Sequence, residues 1–85
     1  MLETKEQRQS YLLYLLTHPL RELQNTRGTV ELLLKLASED MALLYSKGYS
    51  DTFNDEYDSI IARMLHYGTL RKIVSEAMLQ KVSAL

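Results

Sequence analysis

Cysteine and tryptophan are absent from this 85-residue sequence, which has one proline, three glycines and a single phenylalanine. Without cysteine there is no disulfide frame, no thiolate nucleophile and no Cys-based zinc site. Such a chain fits an intracellular, reducing compartment, and the cytoplasm is the expected location. No apolar run approaches the roughly 20 residues that cross a bilayer; the first, Tyr11 to Leu16, spans six. The opening Met1-Leu2-Glu3-Thr4-Lys5-Glu6 carries two acids and leads to no signal-like apolar core or small-residue cleavage site. Neither export nor membrane association is expected. The sequence also lacks strand-like alternation of apolar and polar residues, internal repeats and low-complexity stretches, which leaves helix as the organising element.

What is present points the same way. Hydrophobic residues make up 46% and charged residues 25%, the balance of an ordinary globular domain and far from that of a disordered tail. Leucine occurs 17 times against six for isoleucine and valine together, and γ-branched side chains lose less rotamer freedom in helices than β-branched ones. Residues 1–85 are read as a single domain. A chain this small buries only about 60–65% of its unfolded surface, so its core has to be efficient.

The net charge of −1 is unevenly spread. Residues 1–35 hold five basic and four acidic groups, 36–62 one and six, and 63–85 four and one. The acidic middle argues against a protein that coats nucleic acid, for which a basic domain is expected.

Five segments read as helical: 3–16, 19–27, 29–46, 51–66 and 69–83. The first puts Leu12, Leu15 and Leu16 on one side and ends before Pro19, because the residue preceding a proline is pushed out of the α region. Pro19 suits the first turn of the next helix, with Thr17 or His18 at its cap. From Leu20 a seam of three- and four-residue steps runs through Leu23, Arg27, Val30, Leu34, Ala37, Met41 and Leu44. Gly28 follows its one polar member, and a break there, with Thr29 capping a new helix, is the preferred reading over one long helix. Glu31 and Lys35 form a well-oriented i,i+4 pair and the narrow wet stripe of an otherwise apolar segment. Leu32, Leu33, Leu36 and Leu43 lie off the seam and need a second surface to cover them, so this helix belongs in the middle of the structure or at a subunit interface.

Lys47-Gly48-Tyr49-Ser50-Asp51-Thr52 is the clearest boundary in the chain, a glycine stop followed by cap residues. Asp51 or Thr52 is expected to cap a helix with Asp55, Glu56 and Asp58 in its first turns, where the positive end of the dipole favours acids. Phe53, Tyr57, Ile60, Ile61, Met64 and Leu65 then recur at helical spacing. Gly68 ends or bends that helix, and Thr69 caps a last one with Leu70, Ile73, Val74, Ala77 and Met78 inward.

His18 and His66 are the two histidines, the side-chain type with which any acid–base or phosphotransfer role would begin. Thr17-His18-Pro19-Leu20-Arg21-Glu22-Leu23 resembles, over these seven residues, the phosphoacceptor box of histidine kinases, which implies a phosphotransfer-only helical dimer. Proline stands where that box has an acidic neighbour, the later Pro-Leu pair is missing, and the chain has no room for a nucleotide-binding domain. His18 therefore reads better as an exposed helix-end residue, and His66 as a cation at a helix C-terminus. No catalytic residues, cofactor or metal site are expected, since the glycines are isolated and no ligand spacing is specific. As a DNA reader the 29–46 helix offers leucines where groove readers present polar side chains. The basic pair Arg71 and Lys72 is the better nucleic-acid surface, and it would supply phosphate contacts alone.

The reading that remains is an all-α bundle of four or five helices, sharing its core in a homodimer through Leu32, Leu33, Leu36 and Leu43. It is expected to act as a small non-enzymatic regulatory or adaptor protein of bacterial or phage type. Its docking surface for another protein is the aromatic and acidic region of Tyr45, Tyr49, Asp51, Phe53, Asp55, Glu56 and Asp58, since amphipathic rings are enriched at binding hot spots.

Overall fold

The computed structural model describes residues 2–48 and 54–84, which form three α-helices: α1 (Lys5–Leu15), α2 (Leu20–Ser46) and α3 (Asn54–Ser83). The all-α class holds, but the four or five helices reduce to three because neither Gly28 nor Gly68 interrupts its helix. A helical glycine costs only about 1 kcal/mol relative to alanine. The apolar seam runs on through both positions, with Leu23 and Val30 buried on either side of Gly28 and Ile60 and Val74 on either side of Gly68. The threonines expected as caps act inside their helices instead. The Thr29 hydroxyl donates to the Asn25 carbonyl (3.1 Å) and the Thr69 hydroxyl to the Leu65 carbonyl (2.9 Å), the back-bonding that competes with capping in helix interiors.

α1 opens on a capping box. The Thr4 hydroxyl accepts from the Gln7 backbone N–H at 3.1 Å, and the Gln7 side-chain carbonyl accepts from the Thr4 N–H at 3.1 Å. This satisfies two of the donors that a helix start leaves unpaired. Pro19 is the N-cap of α2, with no side-chain cap bond; the Thr17 hydroxyl donates backward to Tyr14, and the His18 N–H to Leu15. The caps expected at Asp51 or Thr52 lie outside the described residues.

α2 and α3 form an antiparallel hairpin, and α1 packs beside the C-terminal half of α3. The core follows the predicted seam: Leu23, Val30, Ala37, Met41 and Leu44 of α2 are all buried, and Ile60, Ile73, Val74 and Ala77 of α3 with them. It gathers at two ends. Leu15, Leu23, Ile73, Val74 and Ala77 join three helices at one end, while Met41, Leu44 and Ile60 join two at the other. Among the described residues no polar or charged side chain is buried. The result is long and thin, 51 × 24 × 14 Å, with α1 covering only one end of the hairpin.

Candidate functional site

The hairpin tip is built by the ends of α2 and α3. α2 ends at Ser46 with Lys47 as its C-cap, and Gly48 follows with φ +80°, the left-handed position at which glycine ends helices without a Cβ penalty. Tyr45 is 58% exposed in the last turn of α2, and Asp55, Glu56 and Asp58 are exposed along the first turns of α3. Tyr57 is half-buried and packs against Met41, Leu44 and Ile60, so this ring closes the core end. Tyr49, Asp51 and Phe53 lie outside the described residues.

Between the two helices at the tip runs an open groove of about 430 Å³. Leu43, Leu44 and Ile60 give it an apolar floor, and Asp40, Asp55 and Glu56 face Lys47 and Arg63 around its rim. Arg63 donates to the Asp40 carboxylate at 3.0 Å, clasping α2 to α3 across the groove. Asp55 and Glu56 are thus brought to the same groove as the floor leucines. Asp40, Lys47 and Arg63 were not among the docking residues expected from the sequence. Asp40 and Arg63 each flank an apolar seam on a different helix, and their pairing becomes visible only once the hairpin register is known.

A second surface lies on α2 away from α3. Leu32, Leu36 and Leu43, at spacings of four and seven, are 56%, 46% and 60% exposed, while Leu33 is half-buried at their edge. Leu43 belongs to both this face and the tip groove. The expected Glu31–Lys35 pair is replaced, because Glu31 accepts instead from Arg27, one turn earlier, at 3.2 Å. This leaves Lys35 beside the leucine face with no ion-pair partner among the described residues.

Lys72, one of the two basic residues picked from the last segment, lines a groove of about 480 Å³ between α1 and α3 together with Lys5, Arg8 and Glu76. Arg71 is exposed and outside it. Lys5 and Arg8 lie more than sixty positions from Lys72, so no local pattern announces their convergence.

His18 is half-buried. Its Nδ1, protonated in the tautomer that bonds, donates to the Tyr14 carbonyl at 3.0 Å, and its ring meets that of Tyr14 edge-on at 4.6 Å. His66 sits within continuous α3, not at a helix end as expected, with its ring 5.8 Å from that of Tyr67. Among the described residues no three histidine, aspartate or glutamate side chains gather to hold a metal ion, and no helix is long and apolar enough to cross a membrane. Comparison with protein-family models, with curated proteins and with solved structures finds no match for this chain.

Proposed function

We propose that this protein is a non-enzymatic cytoplasmic adaptor or regulator that binds another protein through its hairpin tip and associates with itself through the leucine face of α2. The observation that supports the tip reading best is the groove itself. Leu43, exposed over the buried Leu44 and Ile60, offers apolar area to a partner side chain, and the mixed rim of Asp55, Glu56 and Lys47 offers orientation. Apolar contact surrounded by charge is the usual anatomy of a protein interface. Tyr45, exposed at the same end, adds a ring of the kind that anchors such contacts.

The test is affinity capture from the native host with the intact chain and with a Tyr45→Ala, Asp55→Lys variant of unchanged helicity. A protein retained by the first and lost from the second supports the tip. Equal capture by both, or capture by neither, counts against it.

The α1–α3 groove supports a second reading, nucleic-acid binding, because Lys5, Arg8 and Lys72 converge there. Phosphate neutralisation makes such binding fall steeply with salt. It predicts retardation of a nucleic acid at low salt that disappears in an Arg8→Glu, Lys72→Glu variant.

A further inference from the structure

The chain exposes more surface than its size requires. Its accessible area is 6143 Å², whereas a compact monomer of this mass exposes about 5200 Å². The radius of gyration is 15.7 Å, against about 12 Å for a compact chain of this length. The excess of about 900 Å² is close to the roughly 800 Å² that each partner contributes to a standard interface. Three of the exposed large apolar side chains, Leu32, Leu36 and Leu43, line up as one stripe on α2.

Helical spacing places Glu39 in the same stripe, in the step between Leu36 and Leu43, with Lys35 at its border. Both are exposed, and neither has an ion-pair partner among the described residues. A parallel pairing of two such stripes would set Glu39 against Glu39. An antiparallel pairing centred between Ala37 and Ser38 sets Leu32 against Leu43 and Leu36 against Glu39, with Lys35 of one copy beside Glu39 of the other. The stripe is then complementary to itself in shape order and in charge, as an isologous two-fold contact requires.

We infer that the leucine face of α2 is covered by the same face of a second copy of this chain, the two α2 helices crossing antiparallel about a two-fold axis near Ala37 and Ser38. The inference rests on the self-association proposed above and supplies its geometry.

Because the chain has no cysteine, cross-linking reads the geometry directly. Leu32→Cys and Leu43→Cys variants are prepared separately, then treated with a short bis-maleimide alone and after mixing. Light scattering of the unmodified chain should give twice its 9.9 kDa mass. The mixture should link far more than either variant alone. A dimer in which each variant links chiefly to itself overturns the antiparallel geometry and leaves self-association standing. A monomer at every concentration overturns both, while the tip reading keeps its own capture experiment. Glu39→Lys should weaken the dimer about tenfold, and adding Lys35→Glu should restore it, since opposed charges at an interface attract and like charges repel. No loss in Glu39→Lys, or no rescue, overturns the pairing. Leu36→Glu, at a position already 46% exposed, should give a folded monomer by circular dichroism and light scattering.

Discussion

Tyr11 is half-buried against the three-helix end of the core, with its ring 6.3 Å from that of Tyr14. Burial raises its phenol above the usual 10.0, because the phenolate would be poorly solvated there, and a second phenolate at Tyr14 adds repulsion. The neutral form is therefore favoured in the folded state. Its contribution to stability is fully present below pH 10 and is lost as pH rises through the raised folded-state value. Urea midpoints measured through the alkaline range should fall for the native chain and fall less for Tyr11→Phe. Gly48 is the other residue whose chemistry its position dictates. With φ +80° it has open space around a Cβ yet an unfavourable backbone for one, so Gly48→Ala should cost about 1 kcal/mol in denaturant unfolding.

The two internal glycines act on whole elements. A Cβ at Gly28 or Gly68 would meet nothing within 4 Å, and both positions lie inside regular helix. Gly28→Ala and Gly68→Ala should each stabilise the chain by roughly 0.5–1 kcal/mol, chiefly by restricting the unfolded state. Destabilisation in the same unfolding assay would mean that the helices do bend there. These glycines also mark the limit of what the sequence discloses. The order of Leu23, Val30, Ala37, Met41 and Leu44 was legible because a 3.6-residue period needs only local spacing. Whether a helix continues past a glycine depends on packing against α3, and that packing outweighs a local cost of about 1 kcal/mol. The capping box of Thr4 and Gln7 is a local signal too, a threonine followed three residues later by glutamine. At the tip, the exposed Tyr45, Asp55, Glu56 and Asp58 were readable, since caps and helix-start acids cluster in sequence. Arg63 on Asp40, and Lys72 with Lys5 and Arg8, were not, because each is assembled by the meeting of distant helices.

For the molecule as a whole, the uneven core sets where it opens. At one end α1, α2 and α3 bury Leu15, Leu23, Ile73, Val74 and Ala77 together; at the tip two helices share Met41, Leu44 and Ile60. Local opening is easiest where few apolar contacts must be broken. Amide hydrogen exchange should therefore be faster for 41–47 and 55–61 than for 20–30 and 72–78 at a protein concentration too low for self-association. Raising the concentration should slow exchange along 32–43 if a second copy lies there. Uniform protection along the hairpin would show that the two core ends open as one.

The thinness of the molecule has a genetic consequence. α2 carries a buried row and an exposed apolar row, so neighbours such as Leu43 and Leu44 answer to different demands. In a saturation library scored for abundance, substitutions at Leu44 should be depleted. In one scored for association, depletion should extend to Leu43, Leu36 and Leu32. The two tolerance profiles along this helix would share a period and differ in phase, and a single chain would reveal its folding code and its social code by subtraction.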